Sequence, residues 1–275
     1  MVSLHSPNDR SVHHAFTKPV SAESNLARPN PPKAAASETP ITAIRSRLSP
    51  WLTPIAYRLG CWFVLPSYFR HIEVTGRANL PQEGPLILAP THRSRWDAML
   101  IPYVAGRCAT GRDIRFMVTV DEVKGIQGWL IQQLGGFPVN PRQPAVASLR
   151  YGVEVLQNRE TLVIFPEGGI FRDRQVHPLK PGLARLALQA EASQPGLDVK
   201  IVPIDLSYSE PFPQWRCRAK VAIGQPLAVA QYREGSVKQR AQQLTDDLEL
   251  ALRQLILPAA ETPADPHSVS ANVGS

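Results

Sequence analysis

The chain has 275 residues, of which 43% are hydrophobic and 19% charged, and its net charge at pH 7 is +7. This length allows one sizeable domain with tails, and less readily two small domains. The basic balance favours anionic partners such as anionic lipid, phosphorylated substrates or nucleic acid. Nucleic acid is not the predicted partner, because the chain has no Lys/Arg run, no zinc-finger spacing and no aromatic RNA-binding signature.

Residues 1–40 are rich in Pro, Ser, Ala and Asn without any periodicity, and we predict that they form a disordered tail. No apolar core lies near the start, which argues against a secretory signal. The three cysteines, at positions 61, 108 and 217, are far apart and odd in number. They indicate neither a disulfide framework nor a metal site, and they fit a reducing compartment.

Residues 41–70 combine arginines with crowded apolar side chains. The apolar residues of this stretch are Trp51, Leu52, Ile55, Tyr57, Leu59, Trp62, Phe63, Val64, Leu65, Tyr68 and Phe69. Pro54, Pro66 and an internal arginine argue against a transmembrane span, which needs about 20 uninterrupted apolar residues. The mixture is typical of a helical segment that lies in the bilayer interface. A helix packed on the domain core explains the same pattern equally well.

From residue 71 onward, strand-like and helix-like patterns alternate. We predict strands at 71–75, 86–89, 114–119, 137–139, 161–165, 201–207 and 219–223, and helices at 97–105, 126–134, 145–157, 183–192 and 237–255. The alternation predicts a single α/β domain over residues 71–257, with a mostly parallel central sheet flanked by helices. Residues 258–275 are small and polar, and we predict a second disordered tail there.

A histidine and an aspartate five residues apart, His92 and Asp97, lie between the strand 86–89 and the helix that begins at Asp97. Residues five apart on a regular helix point about 140° away from each other, so the two side chains meet only if His92 lies in the turn before the helix. A carboxylate there fixes the imidazole tautomer and leaves the other ring nitrogen free as a general base. No Ser or Cys nucleophile stands nearby, so the base would act on a substrate hydroxyl. A loop histidine beside a helix-capping aspartate is the alternative interpretation.

A second candidate stretch, Phe165–Arg172, follows the predicted strand 161–165, at the sheet edge where α/β proteins bind ligands. Its two glycines allow backbone amides to approach a ligand, and Arg172 can hold a phosphate with its planar fork. Glu167 can accept a hydrogen bond from a substrate hydroxyl. A turn with a surface ion pair accounts for the same residues.

Two further stretches can bind an anion. Gly135–Arg142 is a glycine-led turn whose last residue, Arg142, is a second candidate phosphate ligand or a solvated surface arginine. Lys180-Pro181-Gly182 begins a helix, and its N-terminus either holds an anion or is simply initiated by the proline.

Together these stretches resemble the glycerolipid acyltransferases, whose best-known members are the lysophosphatidate acyltransferases. His92 and Asp97 match the His-x4-Asp motif of that family, and Gly136–Arg142 resembles its second conserved block. Phe165–Gly168 matches the Phe-Pro-Glu-Gly of the third block, and Val202–Ile204 resembles the fourth. All four occur in the family's order and with similar spacing.

The resemblance implies an O-acyltransferase in which His92 is the general base and Asp97 its orienting partner. The acceptor hydroxyl would attack the thioester of an acyl-CoA or acyl-carrier protein, with no covalent acyl-enzyme, no metal ion and no cofactor. The residues implied in binding the phosphorylated acceptor are Arg142, Glu167, Gly168 and Arg172. The expected acceptor is a lysophospholipid, 1-acylglycerol 3-phosphate, and the expected location is the cytoplasmic face of a membrane, where residues 51–69 hold the domain peripherally.

Three positions depart from the family pattern. Thr91 stands where the family often has Asn, and Pro141 shifts Arg142 by one position. Thr119 stands where a lysine is common, and Lys124 is a candidate substitute for it. The acceptor therefore stays open between lysophosphatidate, glycerol 3-phosphate and another lysolipid. A non-catalytic membrane-surface binding module is the third hypothesis, favoured by the basic charge and the aromatic–arginine segment.

Overall fold

The computed structural model describes residues 46–140 and 145–256. The strands are β1 (His71–Thr75), β2 (Leu86–Pro90), β3 (Ile114–Thr119), β4 (Gly136–Val139), β5 (Thr161–Val163), β6 (Lys200–Tyr208), β7 (Arg218–Ile223) and β8 (Leu227–Ala228). The helices are α1 (Leu52–Leu59), α2 (Leu65–Tyr68), α3 (Asp97–Ala105), α4 (Arg107–Thr110), α5 (Gly125–Gln133), α6 (Val146–Gln157), α7 (Gly182–Ser193) and α8 (Val237–Ile256). The predicted tails 1–40 and 258–275, and also Arg142, lie outside the described residues.

The strands form one mixed sheet in the order β1-β7-β6-β2-β5-β3-β4, with β8 paired to β6. Strands β6, β2, β5, β3 and β4 are mutually parallel, whereas β7 and β8 run antiparallel to β6. The predicted α/β domain with a mostly parallel sheet is confirmed, with an antiparallel edge in addition. Strand β5 ends at Val163, two residues earlier than predicted, because the chain leaves the sheet toward the Pro166 turn.

The sheet is covered on both faces, so it has a hydrophobic core on each side. The residues of β2 contribute to both cores. Ile87 and Ala89 belong to the core under α6, α7 and α8, while Leu86 and Leu88 belong to the core that includes α3. All four side chains are almost completely buried. Full burial of one such leucine or isoleucine side chain stabilises the fold by about 1.5–3 kcal/mol. The continuous apolar run therefore anchors β2 firmly, and the loop that follows it begins from a fixed point.

The segment from Ser46 to Arg70 is packed on the core at its end and leaves apolar side chains exposed at its beginning. Its end packs on the core, because Leu65 and Phe69 are 1% and 3% exposed. Its beginning is a helix, α1, which continues through a π-helical turn into α2 and leaves large apolar side chains uncovered. The exposed members are Trp51, Ile55, Leu59, Trp62 and Phe63. Their spacing of three and four residues places them along one side of the helix, which we call the apolar row.

The start of this segment is fixed to the end of α5. The backbone amides of Arg47 and Ser49 donate to the carbonyls of Gln132 and Gln133, each at 3.0 Å. No helix in the described ranges is long and apolar enough to cross a bilayer.

Candidate active site

Two of the sequence-predicted stretches meet at the carboxyl edge of the sheet. Strands β2 and β5 are parallel neighbours in which Leu88 pairs with Val163, so the loops that follow them leave the sheet side by side. The backbone amide of His92 donates to Glu167 Oε2 at 2.9 Å, and the carbonyl of His92 accepts from the amide of Phe171 at 2.8 Å. These bonds join the histidine turn to the Phe165–Arg172 turn.

His92 and Asp97 form a hydrogen-bonded dyad, with His92 Nδ1 and Asp97 Oδ2 2.9 Å apart. Asp97 is the first residue of α3 and is fully buried. The amides of Arg93 and Ser94 donate to the same oxygen at 2.6 and 2.8 Å, so the chain wraps around the carboxylate. An ionised carboxylate only accepts hydrogen bonds, and His92 Nδ1 therefore carries the ring proton.

The other ring nitrogen of His92, Nε2, has no hydrogen-bond partner within the described part of the chain, and the side chain is 19% exposed. The ring lies flat on Phe165, with the two centroids 4.0 Å apart and an angle of 26° between the planes. The dyad and this stacking contact together fix the orientation of the imidazole. A basic lone pair on Nε2 is thus held open to an incoming proton donor.

A buried ion pair between Arg93 and Glu167 supports the turn. Arg93 Nη1 donates to Glu167 Oε1 and Oε2 at 3.1 and 2.9 Å, and the two side chains are 5% and 0% exposed. Arg93 Nη2 also donates to the carbonyl of Gln175 at 2.9 Å. Arg93 was not among the predicted site residues, and its only signal in the sequence is its place directly after the candidate base.

The carboxylate of Glu167 is fully occupied by protein donors. Besides Arg93, the backbone amide of His92 donates to Oε2, and that of His177 donates to Oε1 at 3.0 Å. Each oxygen thus accepts two hydrogen bonds. Glu167 was expected to accept a hydrogen bond from a substrate hydroxyl or to form a surface ion pair; the geometry instead shows it holding the two turns together.

Three cationic side chains of the Phe165–Arg172 turn and the residues that follow it are exposed: Arg172, Arg174 and Lys180. The Arg172 guanidinium lies 4.6 Å from the ring centroid of Phe212. Gly168 adopts a left-handed φ of +70°, and a Cβ atom there would come within 2.6 Å of Lys180 Nζ. No carboxylate of the described residues forms an ion pair with Arg172 or Lys180. By contrast, Lys124, the candidate substitute for the missing lysine, is paired with Asp121 at 3.0 Å.

Asp205 is a third buried carboxyl group near the site. It lies on β6, is 6% exposed, and accepts a hydrogen bond from Thr91 Oγ1 at 3.1 Å. Burial raises the pKa of Asp205 above its ordinary value, while the Thr91 hydrogen bond and the positive charge of Arg93 act in the opposite direction. Thr91, which stands where the family often has Asn, thus connects the end of β2 to β6 through its side chain. No cluster of three or more potential metal-ligating residues occurs among the side chains that the structure describes.

Replacing Asp205 by asparagine is expected to stabilise the fold at neutral pH. Because the folded-state pKa is raised, the native state binds more protons than the unfolded state, and the free energy of unfolding falls as the pH rises through this window. Asparagine removes the ionisation, and its carbonyl still accepts from Thr91. Thermal unfolding at pH 7 should show a higher Tm for Asp205→Asn, with about 2–4 °C for each kcal/mol relieved.

The difference in Tm between wild type and Asp205→Asn should disappear as the pH falls below about 4. The Asp205 carboxyl is then protonated in the unfolded state as well as in the folded state. The matched control is Asp246→Asn on the exposed side of α8, which should leave the Tm unchanged. A lower Tm for Asp205→Asn at pH 7 would contradict the assigned direction of the pKa shift.

The fold and the site together define a class of protein: an α/β domain that carries a histidine–carboxylate dyad on a strand-to-helix turn at the carboxyl edge of its sheet. Residues 71–207, which contain this site, match the family model described as acyltransferase. The chain belongs to the acyltransferase family.

Known relatives share this domain at low identity. The chain is 26% identical over 136 residues to a 1-acyl-sn-glycerol-3-phosphate acyltransferase of Streptococcus pneumoniae, covering 49% of this chain and 46% of that protein. It is 38% identical over 76 residues to glycerol-3-phosphate O-acyltransferase 1 of Saccharomyces cerevisiae, covering 28% of this chain and 10% of that protein. The chain thus spans less than half the length of these two curated relatives.

A solved structure shows the same fold. It is the 1-acyl-sn-glycerophosphate (LPA) acyltransferase PlsC from Thermotoga maritima, with a TM-score of 0.55, 19% identity, and coverage of 76% of this chain and 82% of that one. At this level of identity, the likeness concerns the architecture of the domain.

Proposed function

We propose that this protein is an O-acyltransferase that transfers a fatty acyl group from a thioester to the hydroxyl of a phosphorylated glycerolipid acceptor. The observation that carries the proposal is the free Nε2 of His92, on a ring whose Nδ1 is bound to the buried Asp97. No hydroxyl or thiol of the described residues is hydrogen-bonded to this nitrogen. It can therefore take a proton directly from a substrate hydroxyl, which then attacks the thioester. Family membership supports the same chemistry.

In the proposed reaction, His92 Nε2 takes the proton of the acceptor hydroxyl as its oxygen attacks the carbonyl carbon of the thioester. The carbon–sulfur bond of the thioester breaks, and the thiolate receives the proton from the imidazolium. The products are the oxygen ester and the free thiol of coenzyme A or acyl-carrier protein. Asp97 stabilises the imidazolium that forms between the two proton transfers.

The phosphate of the acceptor is proposed to bind beside Gly168. Arg172 and Lys180 are exposed cations without a carboxylate partner among the described residues, and Lys180 lies against the Gly168 backbone. A guanidinium fork and an ammonium group are both common phosphate ligands. Arg142 is proposed as a further phosphate ligand from the sequence alone. Glu167 is proposed to act by positioning His92 and Arg93, since its oxygens are occupied.

The proposed acceptor is 1-acylglycerol 3-phosphate, which would be converted to phosphatidate. Relatives named 1-acyl-sn-glycerol-3-phosphate acyltransferase in Streptococcus pneumoniae and Bacillus subtilis support it; the match to the second covers 67% of this chain and 87% of that protein at 25% identity. Glycerol 3-phosphate is the second candidate acceptor. The yeast relative is named for it, and Thr119 replaces the lysine common in the family pattern.

A panel of donors and acceptors tests the proposed function. Purified protein is mixed with acyl-CoA or acyl-carrier protein and with lysophosphatidate, glycerol 3-phosphate or another lysolipid, and release of free thiol is followed. The highest kcat/KM is expected with lysophosphatidate. A clear preference for glycerol 3-phosphate would change the acceptor and keep the mechanism. Vesicle binding without thiol release from any pair would instead establish the non-catalytic membrane module.

The apolar row is proposed to place the domain peripherally on the cytoplasmic face of a membrane. Tryptophan and phenylalanine at the water-facing side of a helix are typical of segments lying in the bilayer interface. The net charge of +7 favours an anionic lipid surface. The exposed side chains Ile126 and Trp129 of α5, which is hydrogen-bonded to the start of this segment, are proposed to contribute to the same surface.

Trp62→Glu is expected to weaken binding to vesicles containing anionic phospholipid by about 10-fold or more. The side chain is 73% exposed, so the change removes an apolar contact with lipid while leaving the core intact. Cosedimentation with vesicles measures the effect. The matched control is Leu250→Glu on α8, whose side chain is 56% exposed but lies on a helix that packs on the other core.

Unchanged sedimentation of Trp62→Glu would contradict the proposed orientation. A point substitution is preferable to deleting residues 1–70, because that deletion would also remove Leu65 and Phe69 from the core.

A further inference from the structure

One oxygen of the Asp97 carboxylate depends on a single side chain far away in the sequence. Oδ2 accepts from His92 Nδ1 and from two backbone amides, whereas Oδ1 accepts from the Tyr208 hydroxyl at 2.5 Å. No other donor of the described residues hydrogen-bonds to Oδ1. Since Asp97 is fully buried, bulk water does not reach Oδ1.

The extra length of β6 brings Tyr208 to the dyad. Strand β6 pairs with β2 as far as Ile204, which lies opposite Pro90, and then continues for four more residues along β7. Tyr208 is the last of these and pairs with Ala219. The antiparallel edge, which the sequence did not indicate, therefore carries a side chain beyond the end of β2 and over the start of α3.

The Tyr208 ring is fixed and its hydroxyl stays protonated. The ring is 8% exposed and stacks on Phe69, with centroids 5.9 Å apart. Burial raises the pKa of Tyr208, and the negative charge of Asp97 raises it further. The hydroxyl is thus a donor across the working pH range, and hydrogen bonds from a neutral donor to a carboxylate are among the stronger ones in proteins.

We propose that Tyr208 is a positioning residue of the active site, which acts through Asp97 to set the orientation and basicity of His92. The proposal rests on the proposed function for its kinetic consequences, but not for its geometry. Donation from Tyr208 disperses the negative charge of Asp97 and holds the carboxylate with Oδ2 toward His92. Without the hydroxyl, the carboxylate attracts the imidazolium more strongly, so His92 retains its proton to higher pH.

The test compares Tyr208→Phe with Tyr68→Phe. Both changes delete one hydroxyl from the same aromatic cluster, since Tyr68 also contacts Phe69, but the Tyr68 hydroxyl donates to the carbonyl of Pro213 at 2.7 Å. For Tyr208→Phe, the acid limb of the kcat/KM profile should move to higher pH by about 0.5–1 unit. The plateau kcat of Tyr208→Phe should fall roughly 10-fold, and the KM values for donor and acceptor should stay unchanged. A loss of this size is typical when a residue that orients a metal-ligating histidine is removed. Tyr68→Phe should match wild type in all of these.

A second readout separates this proposal from the proposed function. The imidazole of His92 is titrated by NMR, with its resonance assigned by its loss in His92→Gln. The same upward shift of the titration midpoint in Tyr208→Phe supports the role of Tyr208, even if wild type transfers no acyl group. Superposable titration curves and pH profiles for wild type and Tyr208→Phe would overturn it, and a purely space-filling role of the ring predicts that result.

A third variant keeps the proposal testable if Tyr208→Phe does not fold. Site-specific replacement of Tyr208 by 3-fluorotyrosine retains the hydroxyl and makes it a stronger hydrogen-bond donor. The titration midpoint of His92 should then move to lower pH, opposite to the expected effect of deletion. An unchanged or raised midpoint in the fluorinated protein would contradict the proposal.

Discussion

Replacing His92 by glutamine is expected to lower kcat by about 10²–10⁴-fold, the usual contribution of a general base. Glutamine fills similar space and can still donate to Asp97, so the fold should be retained. It has no basic nitrogen at the position of Nε2, which is the atom left open in the structure. The measurement is the rate of thiol release at saturating acceptor, together with a thermal unfolding curve that shows an intact domain.

The matched control is His177→Gln. His177 also pairs with a carboxylate, Asp173, at 2.9 Å, and lies on the neighbouring turn. Its bond to Glu167 comes from the backbone and survives the substitution. His177→Gln should therefore retain most of the activity, and equal losses in the two variants would show that the His92 effect is not specific. Turnover of His92→Gln within a few-fold of wild type would exclude His92 as the base.

Glu167→Ala is expected to destabilise the domain by about 3–5 kcal/mol, because it leaves the buried Arg93 charge without its partner. The same change removes the acceptor of two backbone amides, those of His92 and His177. Chemical denaturation at pH 7 measures the loss in the free energy of unfolding. Acyl transfer should also fall, since the turn that carries the base loses its attachment.

Glu122→Ala serves as the matched control for Glu167→Ala. Glu122 pairs with Arg95 at 3.0 Å, but these side chains are 38% and 79% exposed. An exposed pair contributes at most about 1 kcal/mol, so this variant should unfold close to wild type. If Glu167→Ala were as stable as Glu122→Ala, the buried pair would not support the turn. The double variant Arg93→Met with Glu167→Met should recover part of the lost stability, because no buried charge is then unpaired.

Local sequence patterns predicted most of the elements that build the site. The apolar run of β2, the turn at His92 and the helix beginning at Asp97 follow from residues close together in the chain. The spacing of His92 and Asp97 predicted contact only across a strand-to-helix turn, and the structure contains that turn and that contact. The parallel order of β2 and β5 then placed the Phe165–Arg172 turn beside it.

Long-range pairings were beyond the reach of those patterns. An apolar run does not encode strand direction, so β7 could not be recognised as antiparallel to β6. Arg93 and Glu167 are 74 residues apart, and Tyr208 is 111 residues from Asp97. Charged and hydroxyl side chains are usually exposed, and only the assembled fold shows that these are buried and paired.

In the segment before β1, the sequence could not show which apolar side chains are buried. The segment's apolar side chains have two different surroundings, since those near its end enter the core and those near its beginning remain uncovered. Periodicity identifies an apolar side of a helix but not what covers that side. The structure shows core packing at the end of the segment, whereas the interfacial location of its beginning stays a proposal.

The apolar row also has a kinetic consequence under the proposed function. A catalyst held at a bilayer by such a helix meets its lipid acceptor in two dimensions, so its velocity depends on the mole fraction of acceptor in the surface rather than on its bulk concentration. Adding inert phospholipid at constant acceptor should slow turnover by surface dilution, while a water-soluble acceptor such as glycerol 3-phosphate should escape that dilution.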